Sequence, residues 1–414
     1  MNLKQLGILL VLVVVLGGAG IVVLNKQKTS RSSGNTAIGQ KVLGDLPVND
    51  VAHLRISHGT NQLNLVRKDD IWRVAERGDY PANFQQISEF LIKARDLKAI
   101  QVEEIGPSQL GRLQLAPGQG TNSPTLVEFL GSDRKALSTL ALGKPHISNR
   151  KSSSPFGGDT GGWPDGRYLM AGTNSGKVAL VSETFAQIEP KPEQWLSKDF
   201  LKVEKPRSIE VQFPEATNSW KLTRESESGE WKLVDAKDGE KLDTSKSSGV
   251  TYPFSSASFN DVEKGNQLVS GTNPPTMIKI STFDGFNYTV SVGARTNDTY
   301  PIAVEVSADL AKERQAGEDE KPEDKAKLDK EFSDRRQQLE AKLKQEQSFQ
   351  NWTYLVSTWT VEPLLKNRSE LLEEKAETKA EESESEAAAH DSTSDSDSQT
   401  GAASEHDHDH NHAH

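Results

Sequence analysis

The densest set of metal-ligand side chains lies at the carboxyl end, where six of the nine histidines fall between His390 and His414. His406, His408, His410, His412 and His414 alternate there with Asp407, Asp409 and Asn411. Neutral imidazole interleaved with carboxylate suits Zn²⁺, Ni²⁺ or Cu²⁺. A fixed metal site also needs outer hydrogen-bond partners that hold each ring, and a run of Glu, Ser, Ala and Asp offers none. The expectation is weak Zn or Ni binding by a polar tail, with no other cofactor. A second candidate is the Gly-rich loop over residues 152–166, which places Trp163 between Asp159 and Asp165. An isolated Trp beside two carboxylates on a long loop points to a ligand- or partner-binding surface; a bare surface insertion has the same composition. Residues 172–177, Gly-Thr-Asn-Ser-Gly-Lys, approach a phosphate-binding loop but are one residue short and lack the Ser or Thr after Lys. They also fall between two strands rather than before a helix, so turn chemistry accounts for them. His53, His58 and His146 show no serine or acidic partner at a recognisable spacing, and the chain has no Cys. No nucleophile–base set is visible, so no catalytic residue is assigned and the reading is not that of an enzyme.

The elements that must carry these residues alternate in a regular way. Residues 51–56 read as a strand, and residues 63–74 as a hairpin with a charged turn and Trp72 opening the return. Asn83 stands at the cap position of a helix over residues 84–99, whose Ile87, Phe90, Leu91, Ala94 and Leu97 recur at helical spacing. Strands follow over residues 125–129 and 137–143. A hairpin joins residues 167–171 to 177–181, and a short helix lies near residues 192–196. The order then repeats. Residues 209–211 match 54–56, Trp231 matches Trp72, residues 273–280 match 122–129, and residues 290–293 match 140–143. The offsets of 155, 159, 151 and 150 are those of an internal repeat with small loop changes. Phe259 and Val262 are the weak counterpart of the first unit's helix. Trp72 and Trp231 read as core anchors of two sheets. The expected fold is α+β, with two tandem, mostly antiparallel sheet units carrying packing helices.

The largest departure from the repeat is residues 309–350, a Glu/Lys/Gln/Ala-rich stretch broken near Gly317 and Pro322. It reads as a helical hairpin. A fully helical second arm over residues 323–348 is about 39 Å long, with a thin stripe of Leu328, Phe332, Leu339 and Leu343. A solvated arm and a partner-docking coiled coil fit it equally.

Charge and hydropathy place the chain. Residues 6–24 are 19 residues without one charged side chain; as a helix they span about 28 Å, close to a hydrocarbon core of roughly 30 Å. A retained anchor is expected rather than a cleaved signal. Basic residues alone place the body in the cytoplasm, but few residues precede the span and long domains translocate regardless of charge, so the body is expected outside it. Residues 376–414 hold 11 acidic residues and one Lys, whereas the rest has 49 acidic against 48 basic residues. A near-neutral body without a basic stripe argues against nucleic acid. The organisation is thus an anchor at 1–28, a linker at 29–41, units at 42–203 and 204–372, and a disordered acidic tail at 373–414.

Residues 51–56, 65–74, Tyr80-Pro81-Ala82, residues 140–143 and residues 361–372 together resemble the bacterial domain-of-unknown-function 4340 family. The resemblance covers most of the chain to about residue 372; the helical insertion and the His-rich tail depart from it. It implies a membrane-anchored protein associated with ABC-type, gliding-motility-like transport components, and carries over no catalytic residue. The resulting expectation is a single-pass inner-membrane protein, non-enzymatic, acting as a scaffold or accessory subunit of such a complex. Its helical arm at 309–350 is one candidate partner surface. The alternative is an extracytoplasmic ligand-binding module using the cleft between the units or the Gly-rich loop.

Overall fold

Alternation of apolar and polar residues turns most of this chain into strands with one buried face. The computed structural model describes residues 37–118, 120, 122–148, 162–173, 176–265, 268, 274–315 and 320–374. The expected anchor at 6–24 lies outside them, as do Asp159 and the five terminal histidines; among the described residues no helix is long and apolar enough to cross a membrane. Residues 1–372 form one compact unit and residues 373–414 a second, of which only Glu373 and Glu374 are described.

The first sheet contains β1 (His53–His58), β2 (Asn61–Lys68), β3 (Ile71–Val74) and β4 (Tyr80–Pro81). Helix α1 (Phe84–Asp96) follows, then β5 (Gln101–Glu104), β6 (Thr125–Leu130), β7 (Ala136–Ile147), β8 (Pro164–Ala171) and β9 (Lys177–Val181). The second sheet contains β10 (Pro206–Gln212), β11 (Trp220–Thr223) and β12 (Lys232–Leu233), then the one-turn α2 (Thr244–Ser247) and β13 (Asp261–Lys264). It is completed by β14 (Thr276–Thr282), β15 (Phe286–Val292), β16 (Thr299–Ala308), helix α3 (Lys325–Gln347) and β17 (Trp352–Ser357), after which comes the short α4 (Thr358–Val361).

The sheets run β4-β3-β2-β1-β6-β7-β8-β9-β5 and β12-β11-β10-β14-β15-β16-β17-β13. Among the described residues every strand pairing is antiparallel. Apart from β4, the second order repeats the first strand for strand. The segments matched by sequence fall on equivalent strands: β1 with β10, β6 with β14, β7 with β15.

Register puts the apolar residues on one face of each sheet. In the first sheet Leu54 stands opposite both Leu65 and Phe129, Val127 opposite Leu140, and Leu142 opposite Leu169. In the second, Ile280 stands opposite Ile209 and Tyr288, and Ile302 opposite Tyr354. The reverse faces are polar: Arg55 grips Glu128 through two bonds of 2.5 and 2.7 Å, and Lys221 meets Glu210 at 3.1 Å. The first inner face is covered by α1, whose Ile87, Phe90, Leu91 and Ala94 are buried. Asn83 caps this helix by accepting from the Gln86 N–H at 3.1 Å, worth about 1 kcal/mol. The second is covered partly by the segment after β17, where the Trp220 indole donates to the Lys366 carbonyl at 2.8 Å and Leu364 and Leu371 are buried. One apolar core runs through both sheets.

Three expectations are corrected. Residues 309–350 are not a helical hairpin: among the described residues only α3 is helical, and the segment leading to it is an irregular strap. The strap's polar groups are committed elsewhere: the Asp309 N–H donates to the Gly285 carbonyl, the Lys312 carbonyl accepts from Arg336, and Arg314 pairs with Glu320 and Asp329. Nor does α3 project into solvent. Leu339 and Leu343 pack on the core, and the buried Glu346 carboxylate accepts from the Tyr288 hydroxyl at 2.7 Å and from the Lys202 N–H at 3.1 Å. Finally, Val262 lies in β13 and Phe259 just before it, so neither belongs to a helix; α2 and the turn Ser248–Val250 occupy that place. Trp72 is a core residue, whereas Trp231 is only partly buried and stacks beneath the Arg224 guanidinium at 4.9 Å.

Glu346→Ala leaves a buried Tyr288 hydroxyl without its acceptor and is expected to cost about 2 kcal/mol in urea denaturation. Glu340→Ala, on the exposed side of α3, is expected to cost under about 0.5 kcal/mol. The Glu204 carboxylate is pulled from its ordinary value of 4.5 to about 2, by the Lys342 ammonium first and Lys202 second. A lowered carboxylate stabilises the fold above its unfolded pKa and loses that contribution as pH falls through its folded one. The stability difference between wild type and Glu204→Gln, at most about 1 kcal/mol for so exposed a pair, is therefore expected in full above pH 4.5 and to vanish as pH approaches 2.

Candidate functional site

The long hairpin β7–β8 builds the candidate site. Leu140, Ala141 and Leu142 pair with Ala171, Met170 and Leu169, and the register then shifts twice to pair His146 with Gly166 and Ile147 with Pro164. Residues 144–147 and 164–166 extend beyond the last β8–β9 pair, Arg167 with Val181, as a two-stranded extension. Across the outer face lies the 3₁₀ turn Pro107–Leu113, held by a small second core of Leu110, Leu115, Ala141, Met170 and Val178. This turn approaches so closely that a Cβ on Gly143 would sit 2.4 Å from the Leu113 carbonyl oxygen and 2.7 Å from Leu115 Cγ. Glycine is the residue that fits there. The Gly143 carbonyl in turn accepts from Arg167 Nε at 2.7 Å, and Arg167 Nη1 reaches the Thr184 and Phe185 carbonyls.

Between the turn and the extension opens a cleft of about 740 Å³. Glu103 and Glu104 stand at one side, Arg112 and Lys144 at others, and His146 and Tyr168 within it. His146 Nδ1 lies 2.6 Å from Asp165 Oδ1, and the imidazole meets the Tyr168 ring edge-on at 5.8 Å. The bond from His146 is the first cause holding the Asp165 carboxyl below its ordinary range. That bond engages Nδ1 and leaves Nε2 as the ring nitrogen that can meet a ligand. None of the described residues lining the cleft is a Ser, Thr or Cys, but the Ser148 side chain bonds the same Asp165 carboxylate from beside it. The cleft-lining Ile147 is 48% exposed, and Trp163, next to its strand partner Pro164, is 84% exposed.

Of the residues singled out from sequence, Trp163 and Asp165 come together in this extension, with residues 164–166 already part of β8 rather than loop. Asp159 and the terminal histidines lie outside the described residues. Among the described residues no group of three or more His, Asp or Glu is placed to hold a metal ion. The statement that His146 has no acidic partner is corrected. Its partner is 19 residues away, brought across by strand register rather than by local spacing. Pairing the sequence on either side of the Gly-rich loop as one hairpin would have found it. Glu103, Glu104, Arg112 and Lys144 carry no sequence signal, because the turn that gathers them is recognisable only once folded. His53 is structural: its Nε2 lies 2.9 Å from Asn64 Oδ1, and burial lowers its pKa.

Gly143→Ala is expected to destabilise the protein by about 1–3 kcal/mol through overpacking. It should also speed hydrogen exchange across residues 107–115, as the turn is forced off the sheet.

No curated protein and no solved structure matches the chain. The family model described as Domain of unknown function (DUF4340) matches residues 72–273, from Trp72 in β3 to the end of the connection before β14. That match begins at the Trp hairpin, takes in the whole β7–β8 cleft and reaches into the second sheet, and it supports the chain's resemblance to the domain-of-unknown-function 4340 family.

Proposed function

We propose that the protein is a non-enzymatic accessory or scaffold component of an envelope transport assembly, tethered through residues 6–24 and engaging its partner at the β7–β8 end. The observation that carries this reading is Trp163, 84% exposed and next in sequence to Pro164, the strand partner of the half-exposed, cleft-lining Ile147. A large aromatic left in water close to concave, mixed-polarity surface is the composition of a binding hot spot before its partner arrives. The uncharged 19-residue run and the family resemblance support the membrane and transport setting. Helix α3 offers a partner only its outer face, since Leu339, Leu343 and Glu346 turn toward its own sheet.

The cleft supports a second reading as well. Its volume falls within the range of about 300–1,000 Å³ typical of small-molecule sites, which suits an extracytoplasmic ligand-binding module.

A photo-crosslinking amino acid at position 163 of the full chain, in native membranes, is expected to give adducts with integral membrane transport subunits. The same probe at Lys279, on the polar face of the second sheet, is expected to give none. Equal adducts at both positions, or none at either, overturn the accessory reading. A thermal upshift with a small polar metabolite, lost in His146→Ala, supports the second reading instead.

A further inference from the structure

The cleft opens beside a sheet edge. Among the described residues β5 is the last strand of the first sheet, bonded to β9 on one side only. Its register places Gln101 opposite Leu180 and Glu103 opposite Val178, and the Ile105 N–H donates to the Gly176 carbonyl. Ile105, Glu103 and Gln101 therefore point their backbone groups at β9. Alternation in an antiparallel ladder turns those of Val102 and Glu104 outward.

The same edge already holds an added strand one step upstream. Gly39 and Val42 donate to the carbonyls of Ala99 and Leu97, the Ala99 N–H donates to the Gln40 carbonyl, and Lys41 pairs with Lys98. Just beyond this, Ile100 and Gln101 both stand opposite Leu180, a bulge that separates the covered stretch from β5. Extended backbone thus docks along this edge in antiparallel register, and the next outward groups are those of Val102 and of the cleft-lining Glu104. The side chains presented there are acidic: Glu103 is exposed, and Glu104 has 82% of its side chain in solvent. Sheet edges with outward backbone groups recruit strands unless covered or blocked, and charges opposite one another across a strand pair set which strand is accepted.

We infer that β5 is a strand-addition site for an extended, basic peptide segment of a partner protein, which pairs with the backbone of Val102 and Glu104 and sets Lys or Arg side chains against Glu103 and Glu104. This deepens the accessory-protein reading and rests on it: the segment runs along the edge toward the cleft and Trp163. Main-chain hydrogen bonds supply attraction and the flanking carboxylates supply selectivity.

The test uses the full chain and a synthetic probe, N-acetylated Lys-Val-Lys-Val-Lys amide, with Glu-Val-Glu-Val-Glu amide as control. Hydrogen exchange in a fragment spanning residues 100–105 is expected to be fast in the free protein and slowed by the basic probe, with affinity at least tenfold above the acidic one. Val102→Pro removes an outward N–H without breaking a bond to β9, so the fold is expected to survive while probe affinity falls at least tenfold. Should that variant lose its thermal transition, the double variant Glu103→Lys/Glu104→Lys replaces it; reversal of probe preference is then expected. Protection of residues 102 and 104 in the free chain, absence of protection with the basic probe, or equal protection in an intact Val102→Pro protein each overturns the inference. Adducts at position 163 that persist undiminished in Val102→Pro overturn it too, and leave the accessory reading standing.

Discussion

Both sheets are one-sided, and the edge contact of Tyr80 is where their cores become continuous. The Tyr80 ring sits edge-on to Trp352 at 5.0 Å, to Phe259 at 5.9 Å and to Tyr354 at 6.2 Å. Tyr80 belongs to β4, the strand without a counterpart in the second sheet. Phe200, in the connection between the sheets, adds rings against Phe259, Phe349 and Tyr354. Beside this aromatic seam Arg77 forks onto Asp261 with bonds of 2.6 and 2.7 Å. The apolar rings supply the buried area, and the ion pair fixes the angle at which the edges meet. Burial pushes the Tyr80 hydroxyl up to about 12, so the seam carries no charge near neutrality.

Because that seam and the inner faces use nearly all the large apolar side chains, the outer faces are left to polar pairs and to whatever loops cross them. Only one loop builds a second core there, the Pro107–Leu113 turn, and it creates the only substantial concavity beside an exposed Trp among the described residues. The candidate site is therefore a by-product of a close approach at Gly143, not of a specialised domain.

Much of the fold was legible because a strand's period of two and a helix's period of 3.6 are local properties. The Trp72 hairpin, the Asn83 cap, the Ile87–Phe90–Ala94 stripe and the β8–β9 pair all follow from neighbours in sequence. What misled was propensity without tertiary context. A Glu/Lys-rich stretch reads as two helices, yet its arginines and carbonyls bind α3 and leave the first half as a strap. The site was legible in part: Trp163 and Asp165 stand out by composition, while His146 meets Asp165 only once β7 and β8 are paired across the Gly-rich loop, which no local spacing announces. Nor does composition reveal that β5 is an edge, which depends on strands far away in the chain.

The strand order has a consequence for how the chain acquires its shape. In each sheet the first strand lies at the centre: β1 pairs with β6, and β10 with β14, across about 70 residues. Local hairpins form on either side, but the two halves join only when a long loop closes, and loop closure costs entropy before any contact repays it. A chain emerging amino end first thus holds β1 with one edge unpaired until β6 arrives, and the second sheet repeats the wait. The final closure falls to β17, which enters between β16 and β13 after α3 has been made. The aromatic seam gains Trp352 and Tyr354 only at that step, so the two sheets lock together after both are otherwise built, and cooperative stability arrives late.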